Sequence, residues 1–214
     1  MGQLACQIVP VTPFQQNCTV LFDQDSLVGV VIDPGGEVPR LVEMIEEKGL
    51  KIEAIWLTHG HIDHAAGAID LKEKLGGVPI IGPHRDDQPL LDNLQQQAAM
   101  FGSGDPVRNC TPDRWLDEGE SVSFGDHSFS VYHTPGHAPG HVIFYNAEHK
   151  FAQLGDTLFR GSIGRTDLWG GDMATLLQSI QNKILPLGDD ITFVCGHGPG
   201  GTLGEERQTN PYLR

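Results

Sequence analysis

Six consecutive positions, His59-Gly60-His61-Ile62-Asp63-His64, supply three imidazoles and a carboxylate. In an extended chain alternate side chains point the same way, so His59 and His61 can converge on one ion. Asp63 and His64 follow the turn and can serve a second position nearby. Imidazole and carboxylate together suit zinc, manganese or iron. Further donors sit at similar turns: His137 after Thr134-Pro135-Gly136, Asp156 in Leu154-Gly155-Asp156-Thr157, and His197 in Cys195-Gly196-His197-Gly198. Glycine beside each donor permits tight turning and close approach. The plain alternative is a surface His-rich loop, and four donors in six positions at the end of a buried strand speak against it.

The elements that must position these donors are legible in the hydrophobic pattern. Residues 3–10, 18–23 and 27–33 are short runs rich in Val, Ile and Leu and read as strands. Residues 37–48 place Leu41, Val42 and Ile45 on one helical face, closed by Gly49. Residues 52–58 predict a buried strand running directly into the His-rich segment, followed by a helix through Leu75 and a strand over 78–82. A helix is expected over 86–100 and an irregular connector over 101–114. Residues 121–124, 128–133, 141–146 and 151–154 predict four strands joined mostly by tight turns. A helix over 173–184, a strand over 191–195 and a short helix over 203–208 complete the chain. The element order recurs between the halves without a residue-level repeat. That recurrence suggests two layers of sheet with helices outside, and residues 1–214 are expected to form a single domain.

Composition bounds the partners. The chain has 214 residues with 14 Lys+Arg against 28 Asp+Glu, a net charge of −14. Residues 1–107 carry 6 basic and 15 acidic side chains, and residues 108–214 carry 8 and 13, so no basic patch hides behind the average. Nucleic acid and anionic membrane surfaces are disfavoured as partners. Ten His is a high count, and His is the commonest metal ligand. Four scattered Cys without a Cys-x-x-Cys indicate neither a disulfide framework nor a zinc ribbon. No secretory signal or long apolar span is visible, so a soluble, cytoplasmic protein is expected.

The segments His-x-His-x-Asp-His, Thr-Pro-Gly-His, Gly-Asp-Thr-Leu-Phe and Gly-His-Gly-Pro, in this order, resemble the metallo-β-lactamase superfamily. Within it the chain looks most like the short glyoxalase-II-like hydrolases (hydroxyacylglutathione hydrolases), including Asp33-Pro34-Gly35-Gly36 and Asn210-Pro211. The resemblance implies an α+β fold, a four-layer αββα sandwich with a dinuclear site at one sheet edge. It implies two divalent ions per chain, zinc foremost, with iron or manganese as alternatives. His59, His61 and His137 would bind the first ion and Asp63, His64 and His197 the second. Asp156 would bridge them, and a water or hydroxide would lie between. A bridging Asp156 favours this branch over true β-lactamases. Asp63 would orient the nucleophile and accept its proton.

The implied reaction is hydrolysis of a glutathione thioester such as S-D-lactoylglutathione to a 2-hydroxy acid and glutathione, the route that removes methylglyoxal. The implied partner is thus a small anionic thiol or thioester; the oligomeric state is left open. Arg165 is the expected clamp for the anionic part of the substrate, since a guanidinium matches a carboxylate; a salt bridge to Asp167 or Asp172 is the plain alternative. Arg160 is a second, weaker substrate contact. Long glyoxalase II enzymes add a C-terminal helical glutathione-binding region. None is expected here, and Pro199 stands where they carry an aromatic residue, so looser glutathione recognition follows. The rival reading is a mononuclear-iron persulfide dioxygenase acting on glutathione persulfide, distinguishable by metal count and identity. A hydrolase of cyclic substrates ranks third, and a tRNA-processing nuclease is disfavoured by charge. Among the other histidines, His141 is expected to make a hydrogen bond behind the ligands and His133 to be structural. His84 should cap a helix or face solvent, and His127 and His149 should be solvated. Trp56 is expected in the core.

Overall fold

A computed structural model describes residues 2–101 and 106–214, so the expected connector over 101–114 lies partly outside the described residues. The first sheet has the order β1-β2-β3-β4-β5, formed by Leu4–Val11, Gln16–Asp23, Val28–Ile32, Lys51–Trp56 and Ile80–Ile81. Its first three strands are an antiparallel meander, and β4 and β5 then join in parallel. The second sheet repeats this scheme. Strands β6 (Ser121–Phe124), β7 (His127–His133), β8 (Val142–Asn146) and β9 (Phe151–Gln153) form an antiparallel meander. A two-stranded ribbon, β10 (Leu158–Phe159) and β11 (Ser162–Ile163), follows. Strand β12 (Thr192–Val194) then pairs in parallel with β9 and antiparallel with β13 (Gly201–Thr202).

Alternation along the strands creates four layers. Val30 and Ile32 of β3, with Trp56 of β4, face the second sheet, where they meet Phe124, Phe129, Val131 and Phe144. Val31, between them, faces outward onto helices α1 (Val38–Glu47) and α3 (Ala68–Lys74), packing with Leu41, Ile45 and Leu71. In the same way Ile143 turns away from the inter-sheet core toward α6 (Met173–Ser179) and α7 (Leu203–Thr209), where it joins Leu176, Phe193 and Leu203. Sheets covered on both faces need strands apolar on both sides, and β2 and β3 are buried along almost their whole length. The αββα sandwich is therefore the observed architecture. Trp56 is fully buried, 5.4 Å from Phe129 and 5.0 Å from Phe144 between ring centroids.

Some elements differ from expectation. The helix expected over 86–100 is broken into a 3-10 turn at Arg85–Asp87, α4 (Gln88–Leu91) and α5 (Leu94–Phe101). The break falls at Asp92-Asn93, where the Asn93 side chain donates to Pro89 O at 2.8 Å, a local side-chain competition that interrupts helices. The helix over 173–184 is α-helical only to Ser179 and continues as a π turn over Ile180–Ile184. The β10–β11 ribbon, β13 and the one-turn helix α2 (Ile62–Ala65) carry too few residues for periodicity to reveal them.

His127 corrects the expectation of a solvated turn. It opens β7, alternates inward with Phe129 and Val131, and is fully buried. Its Nε2 donates to Asp23 Oδ2 at 2.8 Å from the other sheet. His149 is half-buried, with its Nδ1 3.1 Å from Asn146 Oδ1. Cys18, Cys110 and Cys195 are free and buried, and Cys6 is free and exposed. No helix among the described residues is long and apolar enough to cross a membrane.

Candidate metal centre

The donors gather at one end of the two sheets. Strand β4 ends at Trp56, and the chain beyond it presents His59 and His61 before entering α2, which carries Asp63 and His64. His137 follows β7, Asp156 follows β9 and His197 follows β12. The donors thus lie just beyond strand ends at the same edge, or on the one-turn helix that follows one, and come from both sheets.

His59, His61 and His137 form one group whose ligand atoms all lie within 4.8 Å of one another. His137 Nδ1 donates to Arg165 O at 2.8 Å, so its Nε2 is a lone pair. His59 Nδ1 donates to the Thr58 hydroxyl at 2.9 Å, because that hydroxyl spends its own proton on Asp33 Oδ2 at 2.6 Å. The Nε2 atoms of His59 and His137 therefore face each other as lone pairs at 3.3 Å, with His61 Nδ1 2.9 Å from His137 Nε2. Lone pairs converging at such distances suit a cation between them. Burial keeps these rings neutral: it pushes His59 well below the usual imidazole range, His61 down to about 3, and His137 down as well.

Asp63, His64 and His197 form a second group. His197 Nε2 lies 3.1 Å from Asp63 Oδ2, and its Nδ1 donates to Phe14 O at 3.2 Å. His64 Nδ1 donates to Asp33 Oδ2 at 2.9 Å, which turns Nε2 toward Asp63 and Asp156. Burial works against protonating His64 and His197, but the surrounding carboxylates outweigh it. His64 is carried well above its usual range by the charges of Asp156 and Asp63, and His197 rises to about 9 through hydrogen bonds to Asp156 and Asp63.

Asp156 stands between the groups. Its Oδ2 is 3.5 Å from His137 Nε2 and 3.5 Å from His197 Nε2, while Oδ1 is 3.4 Å from His64 Nε2. Burial raises its carboxyl, yet the neighbouring histidines hold it well below the usual carboxylate range. A β-carbon at Gly196 would sit 2.0 Å from Asp156 Oδ1, so only glycine admits this approach of the β12 turn. Two buried atoms that face into the cluster, His64 Nε2 and Asp156 Oδ1, have no hydrogen-bond partner. Orphaned buried donors and acceptors are costly, and a divalent cation satisfies such a set. The donors fit divalent metal.

Residues 11–197 match the model of the metallo-beta-lactamase superfamily. The chain belongs to this superfamily. It is 46% identical to a hydroxyacylglutathione hydrolase, GloC, of Haemophilus influenzae over 97% of both chains. Among solved structures, the BLEG-1 B3 metallo-beta-lactamase superposes with a TM-score of 0.89 at 38% identity, over 98% of this chain and 99% of that one. TTHA1623, solved in a di-iron-bound form, superposes with a TM-score of 0.87 at 39% identity, over 97% of this chain and 100% of that one.

The remaining predicted residues are placed as follows. His141 stays behind the cluster: its Nε2 accepts from Asp156 N at 3.0 Å and its ring stacks on His59 at 4.9 Å. His84 caps the turn at Arg85–Asp87, and His133 donates through Nε2 to Pro139 O at 2.8 Å. Arg165 lines the cavity at the centre, but its guanidinium holds the Asp167 carboxylate at 2.7 and 2.8 Å. Arg160 is exposed and does not line that cavity.

Sequence reasoning missed the walls. The cavity, about 320 Å³, is bounded by Phe14, Phe101, Phe159, Ile163 and Leu168, with Phe14 and Phe101 edge-to-face at 6.1 Å across its rim. It also missed Gln97, whose amide accepts from Ile62 N at 3.0 Å and donates to Gly60 O at 3.3 Å, gripping the His-rich turn. A glutamine inside a Gln-Gln-Gln run carries no local signal of such a role.

Proposed function

We propose that this chain is a dinuclear-metal hydrolase of glutathione thioesters such as S-D-lactoylglutathione. The observation that carries the reading is Asp156, whose two oxygens face donors of both groups. The 46% identity to a protein named as a hydroxyacylglutathione hydrolase supports the substrate class. In this reading His59, His61 and His137 hold one ion, Asp63, His64 and His197 hold the other, and Asp156 is shared. Zinc is the foremost metal, with iron or manganese as alternatives set by availability.

When bound, the ions supply Lewis acidity, lowering the pKa of water toward about 7 and polarising the carbonyl. The chain's own residues do the rest. Asp63, held by His197 at 3.1 Å, orients the attacking water and takes its proton at the carboxylate. The aromatic and aliphatic walls line the space where the thioester would lie. The thiolate leaves unprotonated, since thiols are acidic enough to do so. Glutathione recognition is loose, because the Arg165 guanidinium is already paired.

Metal analysis together with three assays tests this. The expected result is about two ions per chain, hydrolysis of S-D-lactoylglutathione, and neither oxygen uptake on glutathione persulfide nor turnover of a β-lactam. One iron with oxygen uptake would replace the reading with a persulfide dioxygenase.

A further inference from the structure

Asp87 is fully buried, ends the 3-10 turn Arg85–Asp87, and makes no ion pair among the described residues. Its two oxygens have separate partners. Oδ2 accepts from Gly60 N at 2.8 Å, and Oδ1 accepts from Gly140 N at 2.5 Å. Gly60 sits between His59 and His61 at the end of a strand of the first sheet. Gly140 sits between His137 and His141 in the loop joining two strands of the second. A single carboxylate therefore spans the edge where the sheets present their histidines.

The fit is steric as well as polar. A β-carbon at Gly140 would lie 2.5 Å from both Asp87 N and His84 O, and one at Gly60 would lie 2.8 Å from Leu90 Cβ. Both peptides are thus pressed against the segment carrying Asp87. That segment also bonds Gly140 O through His84 N at 3.0 Å and Gly60 O through Gln97 Nε2 at 3.3 Å. Burial of an unpaired carboxylate is expensive; it pushes the Asp87 carboxyl up to about 7, with the two N–H donors pulling the other way. An apolar side chain would avoid that cost but leave two buried peptide N–H groups without acceptors.

We propose that Asp87 is a positioning residue for the metal centre, a strap between the two sheets that sets the spacing of His59 and His61 against His137. The proposal rests on the reading that these three hold an ion. Among the described residues the Asp87 carboxylate bonds the Gly60 and Gly140 peptides and makes no hydrogen bond to those three side chains, so it acts through the backbone on either side of them. A second tie, Val142 N to Thr58 O at 2.8 Å, lies nearby, so losing Asp87 loosens the spacing without separating the sheets.

Asp87→Asn tests this. The amide keeps shape and one acceptor but sets an N–H donor against one of the two peptide N–H groups. Zinc dissociation constants are read by chelator competition, with the two steps assigned by His197→Ala, which removes a second-group donor. The cobalt-loaded absorption spectrum and the urea stability of the chelated protein are measured alongside. Phe129→Leu, a core change between the sheets, is the control for lost stability alone.

Asp87→Asn should weaken the first-group ion by about 10–100-fold, the usual effect of removing a group that orients ligands. The second-group ion should stay within about 3-fold, the cobalt spectrum should shift, and kcat should fall while KM holds within about 2-fold. Wild-type affinity and spectrum in Asp87→Asn, or an equal loss in Phe129→Leu, would overturn the proposal. If Asp87→Asn does not purify folded, Asp87→Ser, which keeps a single acceptor, is judged by the same criteria. Wild-type loading below two ions would undo the dinuclear reading, and the Asp87 comparison would still run on an ion held by His59, His61 and His137.

Discussion

Asp33 Oδ2 accepts a hydrogen bond from His64 Nδ1 at 2.9 Å, with both side chains fully buried. The same carboxylate takes Thr58 N at 2.7 Å and the Thr58 hydroxyl at 2.6 Å, and that hydroxyl in turn holds His59 Nδ1. One residue thereby fixes which nitrogen His64 and His59 turn toward the centre, in one donor group each.

Asp33→Asn presents an amide N–H to His64 Nδ1 in place of an acceptor. The ion held by Asp63, His64 and His197 should bind about 10–100-fold more weakly. Chelator competition reads this, and unchanged affinity would reduce Asp33 to packing.

Asp156→Ala should abolish two-metal loading, because both groups lose the carboxylate they share. Elemental analysis should find one ion or fewer per chain. Activity should fall by more than the roughly 10–100-fold typical of an outer-shell partner. Full metal content with full activity would remove the shared role.

The Arg165–Asp167 pair is exposed, with side chains 57% and 68% accessible, and exposed pairs contribute about 0–1 kcal/mol. Asp167→Ala releases the guanidinium at the cavity mouth. KM for S-D-lactoylglutathione should fall by up to about 5-fold at constant kcat, the equivalent of that energy. Arg165→Ala should raise KM only about 2–3-fold. Steady-state kinetics of both variants checks the pair, and a large KM increase in Arg165→Ala would show that the clamp operates despite Asp167.

Asp23 is held well below the usual carboxylate range, first by the Ser26 backbone N–H and then by His127. A depressed carboxyl gives stability that is fully present above its unfolded value, about 3.9, and lost as pH falls toward the folded value. The Tm gap between wild type and Asp23→Ala should therefore be widest above about pH 5 and narrow toward pH 2. A gap that stays constant over this range would assign the loss to packing.

Phe129 is fully buried between the sheets against Trp56. Phe129→Ala should cost about 3–5 kcal/mol in urea unfolding of the chelated protein. A cost below about 1 kcal/mol would mean that the inter-sheet core repacks around the void.

The sequence by itself determined the donor types, their order, and their location at strand ends. Imidazole and carboxylate chemistry, turn glycines and strand periodicity are local properties of the chain. The recurring meander-then-crossover order of the two sheets was legible for the same reason. Tertiary structure alone decided which donors come together, since His59 and His137 are 78 positions apart and meet at 3.3 Å only because the two sheets stack face to face with their donor-bearing ends aligned. It also decided that His127 faces inward, that Arg165 is paired, that three phenylalanines wall the cavity, and that Asp87 straps the sheets together. Such roles belong to contacts between distant segments, and composition and spacing do not encode where those segments meet.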